Sequence, residues 1–443
     1  MTRYTQEDVI QLCRQEDVKF IRLQFTDIFG IMKNVAITID QLEKALNNEM
    51  MFDGSSINGF VRIEESDMIL YPDPNSFVIF PWSEPNCKVA RLICDVYSAD
   101  RTPFLGDPRY ALKRAIQRMN KMGYELFAGP ELEFFLFQMD ESGAPTTKTH
   151  DDASYFDLAP VDRGEIARQD MCLMLEKMGF HIEASHHECA PAQHEIDFKY
   201  DDALTTADNV MTFKLVVRTV AQRHNLHATF LPKPVYGVAG NGMHINQSLF
   251  QNGRNMFYDP SSEDGLSEIA HQYVAGLLAH APGFTALTNP LVNSYKRLVP
   301  GYEAPLYIAW SAQNRSPLIR IPASRGTGTR VELRSPDPSA NPYLALAATL
   351  MAGLDGIEKK MTPPEPINCN IYKMDDAELE KHGVSCLPLN IREATRAMLQ
   401  DEVIVAALGE HIVKNYAEAK FIEHEEYRVQ VTPWEVNNYL KRY

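Results

Sequence analysis

The chain has 443 residues, of which 45% are hydrophobic, so it is long enough to bury a large core and to form more than one domain. Its 43 Lys and Arg residues are outnumbered by 59 Asp and Glu residues, and the net charge of -16 disfavours nucleic acid or an anionic membrane as a general partner. The chain lacks a membrane-length apolar run, a signal-peptide pattern at its N-terminus and any Cys-x-x-Cys pair among its seven cysteines, so we expect a soluble, cytoplasmic protein without disulfides or a thiolate zinc site.

The N-terminal part predicts a small β-rich unit. Thr5, followed by two acidic residues, is typical of a helix start. Apolar and polar residues then alternate from Ile21 to Phe25, as in a half-buried strand, and Phe29-Gly30 indicates a turn into a second strand.

A linker separates this unit from the rest of the chain. The segment 101–108 is rich in turn residues, and Asp107 and Pro108 at its end are typical of the first positions of a helix. We therefore predict an N-terminal domain of residues 1–103 and a C-terminal domain of residues 104–443.

Beyond residue 107 the pattern predicts helices that alternate with half-polar strands. The helices are expected near residues 163–178, 203–224, 265–280, 341–358 and 401–422, and the strands near residues 131–138, 193–199, 242–249, 317–321 and 330–334. Because the strands are half polar, an α+β fold with an antiparallel sheet fits better than a doubly wound parallel sheet. We expect the catalytic cleft on the open face of that sheet.

Acidic residues stand in strands where apolar residues would be usual. Glu131 and Glu133 alternate within an aromatic strand and point to one face, as do Arg330, Glu332 and Arg334 in a later strand. An unpaired buried carboxylate costs several kcal/mol, so metal ions or arginines must accompany these acids.

Six residues are the candidate metal ligands: Glu131, Glu133, Glu188, Glu195, His244 and Glu332. Carboxylates with one imidazole and no thiolate favour Mg²⁺ or Mn²⁺ over zinc, and six ligands suit two ions. Taken singly, each has an ordinary structural explanation, such as a solvated strand face for Glu195 or a core histidine for His244. Repetition over several strands favours the metal interpretation.

Residues that suit oxyanion binding lie late in the chain. Gly240 to His244 predicts a close backbone approach to a ligand, although an ordinary β-turn fits the same residues. Six arginines follow within about forty residues, as expected for phosphate or carboxylate recognition: Arg297, Arg315, Arg320, Arg325, Arg330 and Arg334. The Pro-Gly turn before Glu303 is typical of a mobile lid or of a plain surface loop. Together these features indicate phosphoryl transfer from a nucleotide, without a Walker motif or a kinase motif set.

Along nearly its whole length the chain resembles type I glutamine synthetase. The motifs that carry the resemblance stand in the family order: MFDGSS (51–56), ESDM (65–68), GPELEF (129–134), GMH (242–244), VPGYEAP (299–305), IRIP (319–322) and RSPDPSANPYL (334–344). The segment 322–326 and the absence of an inserted segment resemble the alpha branch, which is typical of Gram-positive bacteria.

The resemblance implies a fold and an assembly. It implies an N-terminal β-grasp domain and a C-terminal catalytic domain of helices packed on a curved antiparallel sheet. It also implies a dodecamer of two hexameric rings, with active sites between neighbouring subunits and with the C-terminal helix reaching across the rings. A nitrogen-regulating transcriptional repressor is a further implied partner.

The resemblance further assigns roles to residues. One metal ion would be held by Glu133, Glu188 and Glu195, and the other by Glu131, His244 and Glu332. ATP, as co-substrate, would be bound by Asn246, Ser248, Arg315, Arg320 and Arg330. Glutamate would be bound by Gly240, Asn241, Arg297, Glu303 and Arg334, and ammonium by Asp53, Ser56, Tyr155 and Glu188. Asp53, Glu303 and Arg315 would be catalytic, and Arg62 would mediate feedback inhibition by glutamine.

The implied reaction joins ammonia to the γ-carboxylate of glutamate through γ-glutamyl phosphate, giving glutamine, ADP and phosphate. Two alternatives remain, a ligase that joins glutamate to a larger amine and a non-catalytic regulatory homologue. The acid at Asp53 favours ammonia over larger amines. Where much of the family has Asn-Gly-Ser-Gly-Met-His, this chain has Ala239 in place of the first Asn, so a side-chain contact to glutamate is missing or comes from Asn241.

Overall fold

The computed structural model describes residues 4–57, 59, 67–302, 304–312 and 314–443. The helices of the described residues are α1 Gln6–Gln15, α2 Leu42–Leu46, α3 Pro108–Lys121, α4 Glu165–Lys177, α5 Ala203–Arg223, α6 Glu268–Thr288, α7 Pro342–Glu358, α8 Asp376–Lys381, α9 Ile391–Gln400, α10 Glu402–Leu408, α11 Glu410–Arg428 and α12 Pro433–Tyr439. The strands are β1 Val18–Thr26, β2 Met32–Thr38, β3 Met50–Asp53, β4 Asp67–Ile79, β5 Lys88–Ser98, β6 Glu125–Met139, β7 Pro145–Thr149, β8 Ile182–His187, β9 Gln193–Phe198, β10 Asp201–Asp202, β11 Leu226–Thr229, β12 Met243–Gln251, β13 Arg254–Asn255, β14 Tyr307–Ile308, β15 Trp310–Ser311, β16 Ile319–Arg320, β17 Val331–Leu333 and β18 Ser385–Cys386.

A five-stranded sheet forms the N-terminal part, in the order β2-β1-β5-β4-β3. β1 and β5 are parallel and the other neighbours are antiparallel. The predicted helix start at Thr5 is confirmed, because its hydroxyl accepts a hydrogen bond from the Asp8 amide and the Asp8 carboxylate accepts one from the Thr5 amide. Apolar residues of β1 such as Ile21 and Leu23 are fully buried in the core between this sheet and helices α1 and α2. This is the predicted β-grasp arrangement.

The larger sheet has eleven strands among the described residues, and β6 lies at its centre. Its main path is β15-β16-β17-β12-β6-β9-β8, and β7, β10 and β11 also pair with β6. All pairs in this sheet are antiparallel except β15 with β16 at the edge. The predicted α+β architecture is confirmed, with this one parallel pair as a departure from a purely antiparallel sheet.

Alternation along β6 gives the sheet two different faces. Leu132, Phe134 and Leu136 are fully buried, and Phe134 packs against Phe213 of α5 within the large helical core. The odd-numbered residues from Glu125 to Glu133 are less buried and face the other side. The polar residues of the strand therefore share one face, as the sequence predicts.

An ionic centre joins the two parts of the chain. Arg109 on α3 is 2% exposed, and its guanidinium lies 2.8 Å from Asp73 of β4, 2.7 Å from Asp95 of β5 and 2.9 Å from Asp208 of α5. The side chain of Asn341 also donates a hydrogen bond to the carbonyl of Asp27 over 3.0 Å. These contacts fix the N-terminal sheet against the catalytic part.

The helical layer contains a second, partly buried ionic contact. His280 of α6 places Nδ1 2.7 Å from Asp401 and Nε2 3.0 Å from Asp355. Burial lowers the pKa of His280, but the two carboxylates outweigh that effect and raise the pKa above its usual value. This histidine therefore links α6 to α7 and to the start of α10.

Two predicted helices differ in extent from those in the structure. The segment near 401–422 forms two helices, α10 and α11, because Gly409 between them has a φ of 83°, a left-handed conformation that ends a helix. The helix predicted near 265–280 continues to Thr288 as α6, through Pro282. Within the described ranges, no helix combines the length and the apolar character that a membrane crossing requires.

Candidate active site

The strand register aligns charged residues in two rows across the polar face of the larger sheet. In the first row His244 of β12 pairs with Glu131 of β6, which pairs with Asp197 of β9. In the next row Glu133 of β6 pairs with Glu195, which pairs with His186 of β8. Directly opposed residues share a face at close range, so the sheet itself builds a charged surface from separate segments.

The first cluster consists of Glu131, His244 and Glu332, whose ligand atoms lie within 4.8 Å of one another. The Nδ1 atom of His244 is 3.3 Å from Glu131 and 3.8 Å from Glu332. Glu332 is fully buried, and Asn246 donates a hydrogen bond of 2.9 Å to Glu131. The structure thus brings together the three residues that the resemblance assigns to one metal ion.

The second cluster consists of His186, Glu188 and Glu195, again within 4.8 Å. The Nε2 atom of His186 lies 2.9 Å from Glu188 and 3.8 Å from Glu195. Glu133 pairs with Glu195 on the next strand, and its carboxylate accepts hydrogen bonds from the Gly242 amide at 2.8 Å and from Gln193 at 3.1 Å. Glu133 therefore borders this cluster, while His186 takes the third position within it.

Burial and mutual repulsion govern the protonation of the acids. Burial, followed by the charge of Glu188, raises the pKa of Glu133 to about 8. Burial and the charge of Glu133 also raise the pKa of Glu195 well above its usual value. Burial alone would raise the pKa of Glu131, but the hydrogen bonds from His244 and Asn246 outweigh it and lower the pKa to about 2.

These properties fit bound divalent cations. Carboxylates that are buried and repel one another are stabilised when a cation lies between them, and oxygen-rich ligand sets suit hard ions. Each cluster offers carboxylate oxygens with a single imidazole. The residues present are therefore able to hold a hard divalent ion in each cluster.

The arginines surround the first cluster. Glu332 accepts hydrogen bonds from Arg320 at 2.6 Å and from Arg334 at 2.5 Å. Arg330 donates a hydrogen bond of 2.9 Å to Asn246, and the side chain of Arg315 is exposed to solvent. Arg320 and Arg330 thus lie beside Asn246 and the acidic cluster, as expected for a site that binds an anionic ligand next to a metal ion.

The segment 240–242 approaches this region closely. A Cβ atom on Gly242 would lie only 2.7 Å from Nη2 of Arg297 and 3.0 Å from Nε2 of His244. Arg297 is 3% exposed and donates to the carbonyls of Ser335, at 2.7 Å, and Arg334, at 3.3 Å. A side chain at residue 242 would therefore have to displace the Arg297 guanidinium or the His244 ring.

The side chain of Asn241, one of the two explanations for the contact missing at Ala239, is held by bonds within the chain. Asn241 is fully buried, its amide donates to the carbonyls of Leu231 and Thr229, and its oxygen accepts from Gln193 at 3.2 Å. The side chain is therefore engaged in holding the segment in place. The prediction that Asn241 contacts glutamate remains a prediction.

The remaining predicted residues of the described chain lie outside the two clusters. Tyr155 is 42% exposed, stacks edge-to-face against His186, and has a pKa that burial and Glu188 raise. Asp53, at the end of β3, and Ser56 are exposed in the N-terminal part, and Asp53 accepts a hydrogen bond of 2.8 Å from the Ser55 amide. Ser248 lies on β12, two residues beyond Asn246, on the face of His244.

Two predicted residues, Glu303 and Arg62, lie outside the described residues. The predictions for the lid acid and for feedback inhibition therefore remain predictions.

Sequence reasoning missed three residues of the site: His186, Asp197 and Gln193. His186 precedes Glu188 by two positions in a strand-like segment, so alternation alone places it on the same side as that acid. Asp197 has a buried oxygen without a hydrogen-bond partner, and burial and Glu131 raise its pKa to about 6. The alternation of Glu195 with Asp197 was the available signal, whereas the contact of Gln193 with Glu133 arises only from strand pairing.

Family models cover most of the chain. The model described as the beta-Grasp domain of glutamine synthetase matches residues 17–99, and the model described as its catalytic domain matches residues 105–439. Among curated proteins, the glutamine synthetase of Clostridium saccharobutylicum is 61% identical over 443 residues, covering 100% of both chains. That of Staphylococcus aureus is 60% identical over 441 residues, covering 99% of each chain.

Solved structures share the fold over the same extent. A structure described as a GmaS/ADP complex aligns with a TM-score of 0.89 at 35% identity, covering 98% of this chain and 99% of the other. The cryo-EM structure of Plasmodium falciparum glutamine synthetase aligns with a TM-score of 0.88 at 25% identity, covering 99% of each chain. With the two acidic clusters, the arginines beside them and these matches over the full length, the chain belongs to the glutamine synthetase family, as a type I member of the Gram-positive kind.

Proposed function

We propose that this chain catalyses the ATP-dependent ligation of ammonia to the γ-carboxylate of L-glutamate, through a γ-glutamyl phosphate intermediate, to give glutamine. The observation that carries the proposal is the alignment of two acidic clusters and several arginines on one face of the sheet, in a chain of this family. The alternatives, a ligase for larger amines and a non-catalytic homologue, are not favoured, because curated relatives about 60% identical over the whole chain are named glutamine synthetase.

We assign the clusters to at least two Mg²⁺ or Mn²⁺ ions. Glu131, His244 and Glu332 would hold one, and Glu188 and Glu195 with Glu133 or His186 would hold the other. Bound divalent ions would neutralise phosphate oxygens and make the terminal phosphoryl group of ATP more electrophilic. The choice of hard ions follows from the predominance of carboxylate oxygens and the absence of thiolates among the ligands.

The arginines would bind the phosphates of ATP. Glu332 accepts hydrogen bonds from Arg320 and Arg334, and Asn246 accepts one from Arg330. The guanidinium groups of Arg320 and Arg330, which are expected at the phosphates, are therefore held in position before a nucleotide arrives. Prepositioned donors of this kind stabilise developing negative charge without a reorganisation cost. Arg315, exposed and near Tyr155, would complete the set, with Ser248 on the adjacent strand.

Glutamate would bind beside Gly242. Arg297 lies against this glycine and donates a hydrogen bond to the carbonyl of Arg334, which follows β17, so the charges of the two arginines suit the carboxylates of an amino-acid substrate. Gly240 would contribute backbone groups, and Glu303 would cover the acyl phosphate against water.

The ammonium ion would bind near Glu188 and Tyr155. Ammonium is a nucleophile only after it loses a proton, and Asp53 would accept that proton with Ser56 nearby. Because Asp53 is exposed on the N-terminal sheet, we propose that a neighbouring subunit supplies it, within a dodecamer of two hexameric rings. A repressor partner, feedback through Arg62 and a cytoplasmic location belong to the same proposal.

A steady-state assay tests the proposal. We expect ATP turnover that requires glutamate and Mg²⁺ or Mn²⁺ and that is far faster with ammonium than with ethylamine or putrescine. Absence of glutamate-dependent turnover would favour the regulatory alternative, and a preference for ethylamine or putrescine would favour the amine ligase.

A matched pair of variants tests the role of Asp53. Asp53→Asn should lower kcat/KM for ammonium by roughly 100-fold or more and leave the KM for ATP unchanged, since general base catalysis typically contributes about that much. Asp100→Asn is the control, because Asp100 is likewise exposed in the N-terminal part and accepts a 3.0 Å hydrogen bond from a nearby amide. Equal activity of the two variants would remove Asp53 from the mechanism.

A further inference from the structure

A buried layer of histidine and aspartate side chains lies directly beneath the second cluster. His187 and His194 pair across β8 and β9, one residue before Glu188 and Glu195 respectively, and both are fully buried. Since side chains alternate along a strand, these histidines point away from the face that carries Glu195. His187 faces Asp151, and His194 faces Arg168, which is paired with Asp162; both aspartates are buried.

Asp151 contacts both ends of the turn that carries Glu188. Its Oδ1 atom accepts a hydrogen bond of 2.8 Å from the Ala192 amide and lies 3.4 Å from Nε2 of His187. On its other side, His187 places Nδ1 2.7 Å from the carbonyl oxygen of Glu188. Because a carbonyl only accepts, Nδ1 carries a proton and the ring links Asp151 to the Glu188 backbone.

The turn requires such support. Ala192 has a φ of 62°, a left-handed conformation that an alanine rarely adopts unless its surroundings enforce it. The Ala192 amide is held by Asp151, and its carbonyl accepts from the Leu136 amide at 2.9 Å. The Glu188 amide in turn donates to the carbonyl of Gln193 at 2.8 Å, so the geometry of this turn determines where the Glu188 side chain lies.

His150, Asp151, Asp162 and His194 also place possible ligand atoms within 4.8 Å of one another, which raises the question of a third metal site. The hydrogen bonds argue against it. Arg168 donates to Asp162 at 2.8 Å, and its Nη1 lies 2.9 Å from Nδ1 of His194, which must therefore accept. A neutral His194 then carries its proton on Nε2 and has no lone pair there for a metal.

We propose that this buried layer positions the Glu188 and Glu195 side chains for metal binding, with Asp151 as the central positioning residue acting through His187. The inference rests on the proposed function for the identity of the ions and deepens it. Hydrogen-bond partners behind metal ligands commonly tune metal affinity by roughly 10- to 100-fold. No atom of Asp151 needs to reach substrate for this effect.

Gly164 offers a second way to disturb the layer. A Cβ atom at residue 164 would lie 2.5 Å from Cε1 of His194 and 2.9 Å from Nε2 of His150. Its own φ of -88° suits any residue, so an alanine there acts only by pressing on the two rings.

Mn²⁺ binding to the full-length protein, measured by calorimetric titration, tests the proposal without any need for turnover. Asp151→Asn should weaken one of the two Mn²⁺ binding events by roughly 10- to 100-fold and leave the other unchanged. Gly164→Ala should shift the same event in the same direction. Asp170→Asn is the control, because Asp170 forms a similar pair with His224 at 2.8 Å on the outer side of α4.

The outcomes are distinct. Weakening of one event, with recovery of kcat at high Mn²⁺, supports the proposal, and unchanged Mn²⁺ binding in both Asp151→Asn and Gly164→Ala overturns it, even if both unfold at lower temperature. Loss of a third equivalent of metal in Asp151→Asn would also overturn it, in favour of a metal site within the layer. If the protein made no glutamine, these binding results would stand unaffected.

Discussion

Replacing Arg109 by methionine should strongly destabilise the fold. Arg109 is 2% exposed and donates to Asp73, Asp95 and Asp208, which belong to three different elements. Methionine retains the apolar length of the side chain but leaves three carboxylates without their shared cation. Removing one partner of a buried ion pair typically costs about 3–5 kcal/mol.

The loss in free energy of unfolding should stay within that range, although three carboxylates contact Arg109. Lys113 remains beside Asp95, and the Tyr343 hydroxyl still donates to Asp208 at 2.7 Å. Only Asp73 depends mainly on Arg109, since burial raises its pKa and the arginine charge outweighs that effect to lower it. We therefore expect a decrease of about 3–5 kcal/mol in the free energy of unfolding.

The penalty should also depend on pH. A carboxyl group with a lowered pKa in the folded state contributes stability that is present above its unfolded pKa of about 3.9 and is lost as pH falls below it. Without Arg109, burial should raise the pKa of Asp73, so the variant takes up protons on folding and its loss of stability becomes smaller as pH falls. The difference from the wild type should thus be smaller at pH 5 than at pH 7.5.

Urea unfolding at a fixed protein concentration, followed by tryptophan fluorescence, measures the difference. Arg118→Met is the matched control, because Arg118 lies on the same helix and its 2.7 Å contact with Glu358 is half exposed. That control should lose at most about 1 kcal/mol. A loss for Arg109→Met no larger than the control, or a penalty that grows as pH falls, would refute the reasoning.

Three further changes test other parts of the structure. His280→Gln should lower the unfolding temperature at pH 6 and do so less at pH 9. The lost hydrogen bonds to two aspartates are each worth about 1.5–3 kcal/mol while His280 is charged, and a group with a raised pKa contributes its stability below its unfolded pKa and loses it as pH rises; equal shifts at both pH values would contradict this. Glu131→Gln should raise the Mn²⁺ concentration for half-maximal activity at least ~10-fold, because it removes a carboxylate ligand. Glu125→Gln, at an exposed position of the same strand, should not change that concentration. An equal dependence of activity on Mn²⁺ in the two variants would remove Glu131 from the metal site. Gly242→Ala should raise the KM for glutamate more than the KM for ATP, because the added methyl group would lie 2.7 Å from Arg297; unchanged KM values in a steady-state assay would count against the glutamate site.

The two faces of the central strand follow from the order of its residues alone. Alternation between Leu132 and Phe134 on one side and Glu131 and Glu133 on the other is a local property of an extended chain, and the structure confirms it. The helix start at Thr5 follows equally from local hydrogen bonds. Family motifs then supplied the order of the domains and the expected ligand sets.

Which residues share a cluster depends on how distant segments pair in the folded chain. Strand register brings His186 opposite Glu195 and His244 opposite Glu131, and register depends on pairing between segments far apart in the chain. The layer beneath the second cluster has no sequence signature either, because Asp151 reaches the Ala192 amide from a separate segment. Local patterns predict which side of a strand a residue faces, whereas contacts between distant segments determine what it meets there.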